Sequence, residues 1–542
     1  MPEHTRVVHS SVVASLGAGR ADAPTVRRRR WLLAIAALVL VAAWGPWPLL
    51  AQAEPLYVEF HVDVSSPTAS DANLGSEASP LATITEAVRR ADMNRLAGMA
   101  TRIVVHPGTY RESVVTTIES RGGQPIVLEA REPGTAVVSG SDVWTDWTCE
   151  GRICTHHWPF AWGLAEVPWP QVEMEPVGRR REMVFVNGQF LDQQLTLFDV
   201  MMLPGSFHVD EREQLLTVHV PRNVDPAAAV FEVSVRDDLL RLQELHDLTI
   251  RGLVFQHGNP SVPGTAVRIV DQDNVIVENV VVRWNNWGGI WFKGRNIVMR
   301  DSVSTYNGAN GMSAYQVEGL VLERNVSSYN NWRGFAGGLT GWAVGEKFLV
   351  TRDLHVIDHV AVHNLARGLW VDHDNSNVRI ERLYACYNLN DGVFIERSQG
   401  PVTIVDSTLC SNGRAGLRTS ATNDLEVRGN TLVGNQNAQL VISGDLDVTF
   451  QGWLDQATHV LKNHGWTITG NTLQGVGSEA NLITTSLPRE YWLDLMATAT
   501  FDGNEYVHTR RDVFLVPGDG LVAFDDWRAE AVQDGTSSFR LE

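Results

Sequence analysis

The sequence predicts an all-β fold, a right-handed parallel β-helix, from a repeat of asparagines, a repeat of glycines and short β-branched runs. Asparagines recur every 22 to 24 residues over about residues 245–445, with one longer interval of 34, and glycines follow most of them four positions later. Runs such as Val275-Ile276-Val277 separate these turn residues, so each interval corresponds to one coil of a solenoid. The asparagines are Asn285, Asn307, Asn330, Asn364, Asn388, Asn412 and Asn435, and the glycines are Gly289, Gly311, Gly334, Gly368, Gly392 and Gly416.

The rest of the chain is organised around these coils, which occupy residues 236–445. We predict an N-terminal cap and first coil at residues 54–139, including an amphipathic stretch at 83–91. The Trp-rich and then strand-rich residues 140–235 form an inserted small β element. Residues 446–542 form the last coils and a C-terminal cap, with a helix expected at 452–463. The asparagines have a structural role, because stacked amides form hydrogen-bonded ladders.

The N-terminus predicts export. Four arginines, Arg27 to Arg30, precede an apolar run at 31–50, and Ala51-Gln52-Ala53 fits the small-residue rule for signal cleavage. Residues 1–53 are therefore a signal peptide cleaved near Ala53, or an N-terminal membrane anchor, since the run is long enough to span a bilayer. Both alternatives place the protein outside the cytoplasm, in the extracellular space, in the periplasm or at the cell surface.

The charge of the chain excludes some partners. The formal net charge is −19, and residues 1–53 hold six arginines and two acidic residues, so their removal makes it −23. We therefore expect no nucleic-acid binding and favour neutral oligo- or polysaccharide substrates, although a local cluster of arginine and lysine would override the global repulsion of polyanions.

The cysteines are too few for a disulfide scaffold. Cys149 and Cys154 are close enough in sequence to close a small loop. Cys386 and Cys410 lie one period apart, so the repeat makes them neighbours, either bridged or stacked as free thiols.

Counting from each glycine predicts which side chains face solvent, because successive residues of a strand point to opposite faces. Asp372 and Glu396 take the same outward position on consecutive coils, about 4.8 Å apart. Two carboxylates this close resist double ionisation, so one should have a raised pKa and the pair can supply an acid and a base. In the coil that follows Gly334, the same count places Phe335 inwards.

Further side chains are predicted to bind substrate. Trp370 and Phe394 point outwards beside the carboxylates as an exposed platform for a sugar ring. The coil from Gly334 to Gly368 is longer by eleven residues, and this loop is expected to arch over the pair. The predicted substrate-binding residues are Trp370, Phe394, Trp342, Lys347, Arg418 and Asp374.

The histidines do not predict a metal site. His355, His359, His363 and His373 have spacings that spread them over different parts of a coil, and no CxxC or HExxH motif occurs. We predict no cofactor, with calcium on Asp372, Asp374 and Glu396 as the alternative.

Several segments resemble known families. The opening YVEFHVDVSSPTASDANLGSEASPLATITEAVRRA and the ending FDDWRAEAVQDGTSSF resemble pectate-lyase-like β-helix proteins. The segments GLWVDHDN, at 368–375, and NDGVFIERSQGPVTI, at 390–404, resemble the active-site segments of parallel β-helix glycoside hydrolases of the β-xylosidase type. That resemblance implies that Asp372 is the nucleophile and Glu396 the acid/base, whereas His373-Asp374 is a charged departure from the pattern.

Three functions follow from these observations. The first is a retaining glycoside hydrolase that uses Asp372 and Glu396. The second is a calcium-dependent polysaccharide lyase whose base is Lys347, Lys293 or Arg418. The third is a non-catalytic carbohydrate-binding or surface protein, tethered through residues 31–50.

Overall fold

The structure, a computed structural model, describes residues 56–115, 123–166, 174–243, 246–334, 344–444, 448–453, 455–477 and 480–542. The predicted signal or anchor segment and Trp342 lie outside these residues. Within the described ranges, no helix is both long enough and apolar enough to cross a bilayer.

Parallel strands wind into a right-handed solenoid with three faces per coil. The first and second faces belong to one long sheet, in which Thr265–Glu278, Gly288–Arg300 and Met312–Glu323 each continue from the first face to the second. The third face forms a second sheet. Inward side chains from all three faces make one continuous hydrophobic core, which accounts for the Val, Ile and Leu content of the strands.

The strands of the long sheet are Tyr57–Val62, Ala100–Val105, Val114–Val115, Ile126–Ala130, Leu240–Gln243, His246–Arg251, Thr265–Glu278, Gly288–Arg300, Met312–Glu323, Val344–Ile357, Arg367–Val371, Ser376–Glu381, Val393–Glu396, Val402–Val405, Ala415–Ser420, Leu425–Arg428, Ala438–Ser443, Thr467–Thr469, Asn481–Thr485, Thr500–Asp502, Phe514–Val516 and Gly520–Val522. Those of the third face are Gly108–Tyr110, Ala136–Ser139, Val254–Gln256, Val281–Arg283, Val303–Thr305, Val326–Ser328, Val360–Val362, Tyr384–Cys386, Thr408–Cys410, Thr431–Val433, Thr472–Gln474, Glu505–His508 and Ser538–Leu541.

The repeating asparagines form a buried ladder. From Asn285 to Asn435, each side-chain amide donates to the side-chain oxygen of the asparagine one coil further on, over 2.9 to 3.0 Å. Asn435 donates to Gln439 Oε1 at 2.8 Å, so a glutamine ends the ladder. The ladder satisfies polar groups that would otherwise be buried without partners.

One coil has a different register from the one predicted. Met312 pairs with Glu346 and Ser313 with Lys347, so Gly345, not Gly334, is the glycine of this coil. A Cβ on Gly345 would lie 2.5 Å from Asn364 Nδ2, which is the close approach seen at the other repeat glycines. The spacing of four from Asn330 to Gly334 is coincidental. The insertion therefore precedes the first-face strand. Phe335, which the sequence placed inwards, lies outside the described residues.

Residues 140–235 form two small sheets around a separate core. Their strands are Ser141–Trp144, Val184–Val186, Gln189–Phe190 and Phe231–Ser234 in one sheet, and Thr148–Glu150, Ile153–His157, Asp192–Gln193, Ser206–Asp210 and Leu215–His219 in the other, with a helix at Leu197–Met202 and 3₁₀ turns at Pro176–Arg179 and Pro226–Ala228. Arg333 joins this element to the solenoid: its guanidinium donates to Asn286 Oδ1, Gln193 Oε1 and the Glu182 carbonyl.

Helices close the solenoid. Ile84–Leu96 buries Ile84 and Val88 against the first coils, and Thr83 caps its N-terminus. At the other end Arg489–Met496 and Phe524–Ala531 contribute buried residues to the same core.

The helix expected at 452–463 is absent from the described part of that segment. A β-hairpin, Val448–Gln451 and Thr458–Leu461, is present instead.

Both cysteine pairs are disulfides, Cys149–Cys154 and Cys386–Cys410. The second joins adjacent coils on the third face, where Cys386 pairs in register with Cys410. Of the two alternatives that the sequence left open for this pair, a disulfide bridge or stacked free thiols, the structure has the bridge.

Candidate active site

A cleft of about 610 Å³ lies on the first face, where the two predicted carboxylates meet. Its floor consists of outward side chains from four consecutive first-face strands. The lining residues are Leu349, Arg367, Trp370, Asp372, His373, Phe394, Glu396, Arg397, Arg414 and Arg418.

Asp372 and Glu396 occupy neighbouring outward positions in this cleft. Trp370 pairs with Phe394 and Val371 with Ile395, so the next residues, Asp372 and Glu396, continue the same register. Strands in a parallel sheet are about 4.8 Å apart. The two side chains are 14% and 19% exposed, which leaves them accessible to a ligand but largely desolvated.

Lys347 gives Asp372 a cationic neighbour. Its Nζ lies 3.0 Å from Asp372 Oδ2 and 3.7 Å from the centre of the Trp370 ring. The corrected register explains this position, because Lys347 pairs with Trp370 across adjacent strands. Burial lowers the pKa of Lys347, and the nearby Asp372 partly opposes that shift.

Glu396 has the opposite electrostatic environment. Burial, followed by repulsion from Asp372, raises the pKa of Glu396 to about 6, while Arg397, Lys347 and Arg367 oppose the shift. The sequence predicts a raised pKa from the like charge, whereas burial is the larger cause. The pair thus combines a carboxyl whose pKa is raised to about 6 with a carboxylate beside an ammonium.

The aromatic pair is not the exposed platform that the sequence predicted. Trp370 and Phe394 line the cleft but are only 6% and 4% exposed. The Arg367 guanidinium lies 4.7 Å and 5.2 Å from their ring centres, and that of Arg418 lies 4.9 Å from Phe394. Strand alternation gave their direction correctly, but it contains no information on which long cationic side chains cover them.

Three of the four cleft arginines were not found from the sequence. Arg418 was predicted, whereas Arg367, Arg397 and Arg414 were not. Arg367 and Arg414 precede repeat glycines by one and two residues, so a search of the two positions before each repeat glycine would have found them. Arg397 directly follows Glu396, and its Nε lies 3.9 Å from Glu396 Oε1.

Asp374 does not line the cleft, contrary to the prediction. Its side chain is buried, and Oδ1 accepts from Arg352 Nη2 at 2.7 Å and from Gln399 Nε2 at 2.5 Å. Oδ2 accepts from the Trp453 amide at 3.0 Å. Asp374 therefore fixes the 448–461 hairpin to the coil, and its oxygens are not directed at a calcium site with Asp372 and Glu396.

The four histidines are dispersed, as their spacing predicted. His355 contacts Glu381, and His359 is buried against Glu346 inside the solenoid. Only His373 reaches the cleft, where its ring packs 4.4 Å from that of Phe450. Among the residues with described positions, no group of three or more His, Cys, Asp or Glu side chains is arranged to hold a metal ion.

Comparisons with known proteins agree with this architecture. A family model described as a right-handed beta helix region matches residues 246–451, and no curated protein matches the chain. The solved complex of XylC with xylose is 16% identical, covers 89% of this chain and 86% of its own, and has a TM-score of 0.66. The A-module of the Azotobacter vinelandii mannuronan C-5 epimerase AlgE4 is 16% identical over 89% of this chain and 98% of its own, with a TM-score of 0.45. The family match and the similarity to XylC therefore show that the fold of the chain is the right-handed parallel β-helix.

Proposed function

We propose that this protein is a carbohydrate-active enzyme, a retaining glycoside hydrolase with Asp372 as nucleophile and Glu396 as acid/base. The observation that carries the proposal is the pairing of two stacked carboxylates in unlike environments. Lys347 lies beside Asp372, and the pKa of Glu396 is raised to about 6. The fold similarity to XylC, whose structure was solved with xylose, is consistent with a sugar ligand.

The separation of the carboxylates favours retention of configuration. Retaining enzymes place their two carboxyl groups about 5 to 5.5 Å apart, whereas inverting enzymes need roughly 6.5 to 9.5 Å to admit a water molecule. Neighbouring outward positions on strands about 4.8 Å apart match the shorter range.

The reaction proceeds in two displacements. In the first, Asp372 attacks the anomeric carbon while Glu396 donates its proton to the departing glycosidic oxygen, which leaves a glycosyl ester on Asp372. In the second, the ionised Glu396 removes a proton from water, the water oxygen attacks the anomeric carbon, and Asp372 departs as a carboxylate. Glu396 ends protonated and ready for the next cycle.

Lys347 favours a second candidate, a metal-independent polysaccharide lyase. Burial lowers the pKa of this lysine, which brings the neutral amine closer to physiological pH. Lys347 would remove the proton on the carbon next to a sugar carboxylate, and Glu396 would protonate the oxygen that leaves from the adjacent carbon. This scheme gives Asp372 no chemical role, so we place it second.

We further propose that the protein is exported and acts outside the cytoplasm, released or tethered through residues 31–50. Two disulfides, Cys149–Cys154 and Cys386–Cys410, support an oxidising compartment. The acidic net charge supports a saccharide partner over nucleic acid.

Trapping the glycosyl ester tests the function directly. A panel of 2-deoxy-2-fluoro glycosyl fluorides should give a stable adduct on the wild-type protein, which peptide mapping should locate at Asp372. Asp372→Asn should not be labelled and should lose hydrolysis of aryl glycosides, whereas Glu426→Gln, on the second face, should behave as wild type. An adduct on another residue, or an unsaturated product without aglycone release, would contradict the assignment as a retaining hydrolase that uses Asp372.

A further inference from the structure

The cleft is rich in arginine although the chain is strongly acidic. Four of its lining residues are arginines and two are carboxylates, against a net charge of −19 for the whole chain. The overall charge of an acidic protein does not explain why guanidinium groups cluster in one cavity. The ligand that these groups bind therefore has to be identified.

Two cationic groups in and beneath the cleft already have anionic partners. Arg367 Nε donates to Asp391 Oδ2 at 3.2 Å, and both side chains are buried. Lys347 is paired with Asp372. In these two ion pairs the positive charge is already compensated by a carboxylate of the protein, so neither cation requires a charged ligand.

Arg418 is different. Its described contacts are a donation from Nε to Ser443 Oγ at 3.3 Å and the packing of its guanidinium over Phe394. No carboxylate among the described residues forms an ion pair with it. Arg418 lies on the strand next to the one that bears both Phe394 and Glu396, and it pairs in register with Phe394. This register places a half-buried cation one coil from the acid/base.

This cation is unfavourable for the proposed reaction on a neutral sugar. The transition state is oxocarbenium-like and carries positive charge, and a guanidinium in a partly desolvated cleft repels it. A carboxylate on the sugar would neutralise Arg418 and remove that penalty. The planar guanidinium donates two parallel hydrogen bonds to a carboxylate, so the same contact would also select for it.

We propose that the cleft selects an acidic saccharide, a hexuronic acid unit whose carboxylate is bound by Arg418. This inference rests on the proposed function for the reaction, but its binding component is independent of hydrolysis. It departs from the preference for neutral substrates that the net charge suggested, because a local arrangement of arginines outweighs the distant surface charge.

Three aryl glycosides that differ only at C5 test the selection: a xyloside, a glucoside and a glucuronide, each as both anomers. In the wild type, kcat/KM for the preferred glucuronide should exceed that for the glucoside by at least about tenfold. Arg418→Gln should lower the glucuronide value roughly 100-fold and change the other two less than about threefold. The control Arg428→Gln, on the second face of the same coil, should leave all three unchanged. An equal loss on all three substrates, or a wild-type preference for xyloside or glucoside, would overturn the proposal.

Calorimetry separates failure of this inference from failure of the hydrolase assignment. Glucuronic acid, glucose and glucose 6-sulfate are titrated into the wild type, Arg418→Gln and Glu396→Gln. Binding of glucuronic acid that Arg418→Gln abolishes and Glu396→Gln retains supports the proposal even if no glycoside is hydrolysed. Tighter binding of the sulfate would identify a sulfated sugar and overturn the uronic acid, and equal affinity for glucose would overturn charge selection altogether.

Discussion

The Lys347 ammonium lies 3.0 Å from Asp372 Oδ2, on the strand that precedes the one leading to Asp372. Because both side chains are largely buried, each charge depends on the other for much of its stabilisation. Glu396 lies one coil further along and interacts with both charges: Asp372 raises the pKa of Glu396, and Lys347 lowers it. The electrostatics of the site thus follow from three outward positions on consecutive coils.

Removing one member of the Lys347–Asp372 pair should destabilise the fold. Breaking a buried ion pair by truncating one partner costs roughly 3 to 5 kcal/mol, so Asp372→Asn and Lys347→Met should each lower the free energy of unfolding by about 3 kcal/mol. The double variant should be more stable than the sum of the single losses predicts, by about 1 to 3 kcal/mol. Urea unfolding measures all three. Additive losses would show that the two charges do not stabilise each other.

Glu396→Gln should stabilise the protein at neutral and alkaline pH. The folded-state pKa of Glu396 is raised from 4.5 to about 6, so between these values the folded chain holds more protons than the unfolded chain. Stability is therefore lost as the pH rises through this window, and the full loss is about 2 kcal/mol. Because glutamine cannot ionise, the Glu396→Gln variant does not lose this stability as the pH rises. The variant should match wild type near pH 4 and exceed it at pH 8 in chemical unfolding; a constant difference would contradict the assigned pKa.

The rate of glycoside hydrolysis should depend on the same proton. Because Glu396 must be protonated to assist departure of the aglycone, kcat/KM for a substrate with a poor leaving group should fall above a pH of about 6. For a substrate whose leaving group needs no proton, kcat/KM should not fall in this way at alkaline pH. In Glu396→Gln, the poor-leaving-group substrate should lose activity at least about 100-fold, and the other should lose much less. Identical losses on both substrates would remove Glu396 from the acid role.

The prediction from sequence succeeded where the repeat is regular. The Asn and Gly periods determined coil length, and strand alternation then placed Asp372 and Glu396 in one register without knowledge of the structure. It failed at Gly334, because an asparagine and a glycine four residues apart occur there by chance inside an insertion. The contacts of Gly345 with the next coil, which define the true register, are not visible in the sequence.

The candidate site was only partly predictable for a related reason. A periodic pattern gives the direction of a side chain but not what covers it. Thus Trp370 and Phe394 point outwards yet are buried beneath arginines, and Asp374 leaves the outward series at a turn with a φ of 59°. The long side chains of Arg367, the first residue of its strand, and of Arg414, in the turn before the next first-face strand but one, reach the cleft from positions before the glycine at which the count begins.

Asp374→Asn should affect stability and not catalysis. Its carboxylate accepts from Arg352, Gln399 and the Trp453 amide, so substitution removes charge-assisted bonds worth roughly 1.5 to 3 kcal/mol. We expect a lower melting temperature with KM and kcat within about twofold of wild type below that temperature, and no effect of a chelator. Loss of activity with unchanged stability, or inhibition by chelator, would restore Asp374 to the ligand-binding role.

Alanine at Gly345 and at Gly334 tests the corrected register. A Cβ at Gly345 would lie 2.5 Å from Asn364 Nδ2 and 2.7 Å from the Gly368 carbonyl oxygen, both held by the neighbouring coil. Gly345→Ala should therefore force adjacent coils apart and cost several kcal/mol, and it should also displace Lys347 and lower activity. Gly334 has a φ of 67° and open space around its Cβ position, so Gly334→Ala meets only the backbone penalty of about 1 to 2 kcal/mol. Thermal unfolding of the two variants should rank them in that order, and the reverse order would mean that Gly334 is the glycine of the repeat after all.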